Sequence, residues 1–220
     1  MKIDGLRHNA LFSGITEAEL RYVDTYARTF SHDKDETVFI QGDESNCIYF
    51  LDSGRIKISK LYHDGRKLTL DVIEPGEFFG EMSLAGEKER STTAEATEKS
   101  TGIEISKRVF EEFLRKRPDI AIKLLQLIGD KRLGMENLLE DMAFMDVQSR
   151  IASLLMKYSE DGLVKIPLTH QEIADMTGTS RVSVTRSIIK LRDKGLIETT
   201  GDRIKLSDIK KLRKLISWSM

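Results

Sequence analysis

The chain has 220 residues and a formal net charge of −1, with 40% hydrophobic and 32% charged residues. That is the balance of a globular protein with room for one large or two modest domains. Apolar runs fall far short of the ~20 residues of a spanning helix. The opening MKIDGLRHNALF has no apolar core of a secretory signal. A single cysteine, Cys47, excludes a disulfide framework and any four-cysteine zinc or iron–sulfur site. A reducing cytoplasm is the expected compartment, with no membrane partner.

Charge is uneven along the chain. Residues 147–220 hold 14 Lys/Arg against 8 Asp/Glu, a net of +6, while residues 1–146 hold 21 against 28, a net of −7. A basic back half suits a polyanionic partner, and an acidic front half disfavours nonspecific coating of DNA.

In chain order, Thr16-Glu17-Ala18-Glu19 is a capping box that opens a short helix. Short β-rich runs follow at Thr37–Ile40, Cys47–Leu51, Arg55–Leu61, Lys67–Ile73, Thr92–Thr97 and Gly102–Ile105. Ile56, Ile58 and Leu68, Leu70, Val72 alternate at period two, which turns one face inward. Asp64-Gly65 signals a tight hairpin. Strands this short and evenly spaced predict an antiparallel barrel or jelly roll. Ser106 is placed to cap a helix ending at Arg117, and Pro118 suits the first turn of a long helix reaching about Met145. Along it Leu124, Ile128, Lys131, Met135, Leu138, Met142 and Met145 repeat at spacings of four and three, a coiled-coil seam with one polar interruption. That seam predicts a parallel dimer. The alternative is a long helix packed on the chain's own barrel, which Leu125, Leu127, Leu133 and Leu139 on a neighbouring face can serve; both faces are apolar, so the two contacts can coexist. Asp146 caps the next helix, to about Tyr158, and the domain boundary is expected between 138 and 146.

Thr169-His170-Gln171-Glu172 is a second capping box. Small Ala174, Gly178 and Ser180, placed to cap the next helix, then precede Arg181-Val182-Ser183-Val184-Thr185-Arg186. Two short helices joined by a Gly-containing turn form a helix-turn-helix. Val184, Ile188 and Leu191 would pack the second helix inward, leaving Arg181, Val182, Thr185 and Arg186 at the end a recognition helix presents to the major groove. Ile197–Thr199 and Arg203–Leu206 flank Thr200-Gly201-Asp202 as a wing hairpin, and Ser207 is placed to cap a last helix.

In the front half, Pro75-Gly-Glu-Phe-Phe-Gly80-Glu81-Met82-Ser83-Leu84 precedes Glu89-Arg90-Ser91-Thr92. A phosphate needs a fixed cation and close backbone N–H donors, and Arg90 with Gly80, Ser91 and Thr92 can supply both. Glu81 can accept from a ribose 2′-OH.

These stretches, with Arg117-Pro118-Asp119, Ala143-Phe144-Met145-Asp146-Val147 before Arg150-Ile151-Ala152, and Gln171-Glu172-Ile173-Ala174 through Arg186, resemble the cyclic-AMP receptor/fumarate–nitrate regulator (CRP/FNR) family over nearly the whole chain. The resemblance implies an α+β fold. An N-terminal antiparallel β-roll for effector sensing (1–117) would be followed by a dimerisation helix (118–145) and a C-terminal winged helix-turn-helix (146–220). It implies a dimeric transcription regulator rather than an enzyme. Its partners would be double-stranded DNA at a palindromic operator, a second copy of itself and RNA polymerase.

The effector site implied is Gly80, Glu81, Met82, Ser83, Arg90, Ser91 and Thr92, with Met135-Glu136 standing where cyclic-AMP-responsive members carry Thr-Ser. A cyclic nucleotide, cAMP or cGMP, is favoured. A non-nucleotide effector and a constitutive DNA-binding protein are the alternatives, and no metal is expected. The DNA-binding set implied is Thr169, Gln171, Ser180, Arg181, Val182, Ser183, Thr185 and Arg186. Val182 stands where Glu is common and cannot accept from cytosine N4, so the half-site is expected to differ there. Cys47 reads as a core thiol. His8, His32, His63 and His170 are scattered, which disfavours haem ligation.

Overall fold

The structure is a computed structural model that describes residues 9–200 and 203–217. The stretch through His8 and the pair Gly201-Asp202 lie outside the described residues. The chain divides into two compact units, Met1–Lys131 and Arg132–Met220, so the division falls inside the long helix.

In the first unit, α1 (Glu17–Tyr26) is followed by β1 (Arg28–His32), β2 (Thr37–Phe39), β3 (Cys47–Ser53), β4 (Ile56–Leu61), β5 (Lys67–Ile73), β6 (Phe78–Phe79), β7 (Thr93–Ala96) and β8 (Ser100–Ser106), then α2 (Lys107–Lys116) and α3 (Pro118–Phe144). The strands form two antiparallel four-stranded sheets, ordered β1-β8-β3-β6 and β2-β7-β4-β5. This is the expected β-roll. β3 shows why it closes. Ile48 and Phe50 alternate into a core with α1, α2 and Ile120 and Leu124 of α3. Tyr49 and Leu51 face a second core with Phe39, Ile56, Ile73, Phe79, Ala94 and Ala96. A strand buried on both faces needs an apolar run, and Cys-Ile-Tyr-Phe-Leu is one.

The capping box at Thr16 forms as expected. Its Glu19 also accepts from Arg117 at 2.7 Å, and Arg117 grips Asp119 as well, which ties α1 to the start of α3. Ser106 sits at the N-cap of α2 without making a side-chain cap bond; the Lys107 N–H donates to Asn46 O instead, at 2.7 Å.

The long helix corrects the predicted seam. Leu124 is buried against the unit's own core, and Ile128 packs beside it. The Lys131 ammonium donates to Phe78 O at 3.0 Å and pairs with Asp71 at 3.3 Å. These three residues therefore face inward within the chain. Farther along, Leu138 and Met142 are half-buried and Met145 is buried. The exposed large apolar side chains of α3 are Ile122, Leu125, Leu133, Met135, Leu139 and Phe144. Of the four leucines expected on the barrel, Leu127 packs against it and Leu125 is exposed; Leu133 and Leu139, which belong to the second unit, are exposed as well. Two apolar stripes share one helix, and periodicity alone does not say which turns inward.

The second unit contains α4 (Val147–Lys157), β9 (Ser159–Glu160), β10 (Leu163–Val164), α5 (His170–Thr177), α6 (Arg181–Asp193), β11 (Ile197–Thr200), β12 (Arg203–Leu206) and α7 (Ile209–Ser217). One sheet runs β11-β12-β10-β9. Its core joins Ile151 and Leu155 of α4 to Ile173, Val184, Ile188, Leu191, Ile204 and Leu212. Asp146 and Ser180 cap α4 and α6 as expected. The cap of α7 comes from Asp208, which accepts from the Lys211 N–H at 2.9 Å; Ser207 bonds Glu198 instead. Among the described residues, no helix is long and apolar enough to cross a membrane.

Candidate functional site

Gly80 follows β6 with φ +75, and a tight helical turn, Glu81–Ser83, starts from it. A Cβ at Gly80 would lie 2.9 Å from Arg90 Nη1, 3.1 Å from the Tyr49 ring and 3.2 Å from Cys47 O. Both the left-handed backbone and the close approach therefore demand glycine.

The contact behind that crowding is the Arg90 side chain, 3% exposed. Its Nη1 donates to Gly80 O at 3.0 Å and its Nη2 to Cys47 O at 2.6 Å. Its Cζ stands 4.3 Å from the Phe39 ring centroid and 5.7 Å from that of Tyr49. Its Nε has no hydrogen-bond partner among the described residues. Among the described residues, no carboxylate oxygen lies within 4.0 Å of this guanidinium. A buried cation with no carboxylate at ion-pair distance is costly unless an anion joins it. A guanidinium carries five N–H donors, and two are used here. The Nε–H is a buried donor left without a partner among the described residues.

Neighbouring groups sharpen the picture. Burial pushes the Tyr49 phenol up to about 12. Burial would also raise the Glu87 carboxyl, but donations from Ser91 and Ser45 and the Arg90 charge outweigh it and hold Glu87 below its ordinary value. The Ser91 N–H meets Glu87 at 3.0 Å and the Ser45 hydroxyl meets it at 2.9 Å. Ser83 is fully buried with an unpartnered hydroxyl, whereas Met82 is exposed. Glu81 and Thr92 are half-buried and Ser91 is exposed. Met135 and Glu136 belong to the second unit, where Glu136 pairs with Arg132 at 2.6 Å on the helix surface. Phe39, Tyr49 and the Cys47 carbonyl are parts of the Arg90 site that sequence reasoning missed. The alternation along β3, which sets Tyr49 beside Leu51, was the available signal for one of them.

The second site is built on α5 and α6. The Thr169 capping box forms, Gly178 turns the chain at φ +61, and the Thr179 N–H returns to Ala174 O at 3.0 Å. Val184, Ile188 and Leu191 are buried as the spacing predicts. Arg181, Val182 and Arg186 are exposed on α6. Among the described residues, neither arginine has an ion-pair or hydrogen-bond partner for its guanidinium. Ser180 caps the Ser183 N–H at 3.2 Å, and Gln171 donates to Asp175 at 2.8 Å. Thr185 is half-buried, and its hydroxyl bonds Arg181 O at 3.0 Å and stands 2.9 Å from His170 Nδ1. Beyond α6, Thr200 pairs with Arg203 across the wing.

Comparison with known proteins agrees with both halves. Residues 29–117 match the model of the cyclic nucleotide-binding domain, and residues 149–215 match the Crp-like helix-turn-helix domain. The chain is 31% identical to the global nitrogen regulator of Synechocystis over 183 residues, 78% of this chain and 81% of that protein. It is 28% identical to the cyclic AMP receptor protein of Thermus thermophilus over 193 residues, 87% of this chain and 89% of that protein. The c-di-GMP responsive global regulator CLP of Xanthomonas campestris superposes with a TM-score of 0.79 at 23% identity, over 88% of this chain and 100% of that one.

Proposed function

The chain belongs to the CRP/FNR family of transcription regulators, and from that premise we propose a homodimeric, effector-switched DNA-binding protein whose β-roll takes a cyclic nucleotide. The observation that carries the effector reading is the buried Arg90 guanidinium, with no carboxylate oxygen within 4.0 Å among the described residues. A cyclic phosphate would supply the missing anion, bound by the unused Arg90 donors with help from Ser91 and Thr92. Glu81 would accept from the ribose hydroxyl, and the Gly80 turn would let the backbone approach. Ser83, buried with its hydroxyl unpartnered, offers another polar contact. Glu136 is proposed to sense the base, accepting from adenine N6 or from guanine N1/N2, and it would have to leave Arg132 to do so.

On the DNA side, Arg181 and Arg186 are proposed to read guanine edges, and Val182 to contact a thymine methyl. Thr169, Gln171, Ser180, Ser183 and Thr185 are proposed to position the helices on the duplex. The dimer is proposed to form along α3 through the exposed stripe of Ile122, Leu125, Leu133 and Leu139. Ligand binding would shift the two recognition helices toward one-turn half-site spacing. The functional partition proposed is 1–117 for sensing, 118–145 for dimerisation and 146–220 for DNA. Contact with RNA polymerase and action in the cytoplasm complete the reading, and no catalytic step is proposed.

A second reading keeps the regulator and replaces the nucleotide by another anionic effector. It draws on the Ser91 N–H, a donor the phosphate would use, being bonded to Glu87. Titration calorimetry with cAMP and cGMP in parallel separates the two. Saturable binding of either supports the first reading, and binding of neither sends the search to other anions.

A further inference from the structure

We propose that His170 is a proton-dependent phosphate contact of the DNA-binding unit, oriented by Thr185 of the recognition helix. This rests on the reading that α6 meets DNA.

The inference starts from one hydroxyl. Thr185 Oγ1 bonds Arg181 O at 3.0 Å and lies 2.9 Å from His170 Nδ1. A hydroxyl has one proton, and a backbone carbonyl can only accept. Both contacts hold together only if Thr185 donates to Arg181 O and accepts from an Nδ1–H of His170. The tautomer of His170 is thereby set, and Nε2 is the atom left over. Among the described residues, nothing partners Nε2. The hydroxyl of Thr185 is saturated, so Thr185 orients its neighbour and does not read a base itself.

His170 is the first residue of α5, half-buried, and the bond to Thr185 holds it beside the exposed end of α6 that carries Arg181, Val182 and Arg186. Protonation of Nε2 leaves the Nδ1–H bond to Thr185 intact. It adds a positive charge and a donor at the face proposed to meet phosphates. On α5, Glu172 is engaged by Thr169 and Asp175 by Gln171. On α6, Arg181 and Arg186 stand nearby, with Lys190, Arg192 and Asp193 farther along; α4 carries Arg150 and Lys157. His170 forms no ion pair among the described residues.

The test uses the full chain and a duplex recovered by selection from random DNA, with affinity measured against salt at about pH 5.5 and about pH 8, on either side of the ordinary imidazole range near 6.5. Each phosphate neutralised adds about 0.9 to the steepness of log K against log salt. The wild-type slope is expected to be steeper by about 0.9 at the lower pH. His170→Asn keeps a donor where Nδ1 stands but does not titrate, and is expected to lose that increment at an unchanged melting temperature. Thr185→Val removes the acceptor and is expected to shrink the increment, while Thr185→Ser keeps it. An increment retained in His170→Asn, or absent from the wild type that binds well at both pH values, overturns the role of His170. Failure of the wild type to bind any selected duplex overturns the DNA-reading role of α6 as well.

Discussion

The two sites hold arginine in opposite ways. Arg90 is sealed within the β-roll, against two ring faces and two carbonyl oxygens, whereas Arg181 and Arg186 stand free on the surface of α6. A surface guanidinium keeps its water until a phosphate or base displaces it, so its position requires only a helix with a packed opposite face. A buried guanidinium has surrendered that water, and the fold must surround it. The first arrangement suits a surface that scans many sequences. The second suits a socket that responds to one small anion.

The contrast can be broken first at Arg90. Arg90→Leu removes several charge-assisted hydrogen bonds to the proposed phosphate, so nucleotide affinity is expected to fall by at least about 100-fold, or ~3 kcal/mol. Thermal stability should hold or rise, because an apolar residue replaces an unpaired buried charge. Calorimetry and a melting curve of the same variant check both. A large loss of stability would mean that Arg90 is chiefly a structural strut. Gly80→Ala sharpens the same point through the backbone. Left-handed strain of about 1–2 kcal/mol adds to a Cβ pressed to 2.9 Å from Arg90 Nη1. Chemical denaturation should show the lower midpoint, and nucleotide affinity should fall with it.

On α6 the expected effect is narrower. Arg186→Ala should cost about 1–3 kcal/mol at one operator position and little elsewhere, as read by binding to duplexes varied one base pair at a time. A uniform loss over all positions would turn Arg186 into a phosphate contact. The smallest effect concerns the brace on α1. Bonds from Thr16 and then Arg117 hold the Glu19 carboxyl at about 2, and Arg117 holds Asp119 at about 2. Both values are depressed, so their contribution is present above the ordinary carboxylate range near 4 and is lost as pH falls toward about 2. The melting temperature of the wild type should drop over that window, and that of Arg117→Gln should drop less.

The same contrast explains what was readable before the fold was known. The recognition helix is local. Its caps, its glycine turn and the 184, 188, 191 spacing lie within some twenty residues of chain, and the structure places each as expected. The socket is assembled from positions 39, 47, 49, 80 and 90, brought together by two sheets. Gly80 and Arg90 were legible as phosphate chemistry, but Phe39, Tyr49 and the Cys47 carbonyl were not, because nothing local marks a long-range approach. β1 was missed for a related reason. Arg-Thr-Phe-Ser-His has little apolar alternation and is a strand because it pairs with β8. On α3, Leu124 and Leu125 are equally apolar neighbours, and only the β-roll decides that the first is buried and the second exposed. In the sequence His170 is one of four scattered histidines; its partner Thr185 lies on the next helix, out of reach of spacing rules.

The central claim is that the buried Arg90 anchors an anionic effector whose binding is felt at α6. The direct measurement is operator affinity of the wild type and Arg90→Leu, each with and without saturating cyclic nucleotide. The wild type is expected to tighten on DNA when nucleotide is added, and Arg90→Leu to show no change on addition. An equal response in both proteins, or none in a wild type that binds the nucleotide, would contradict the account.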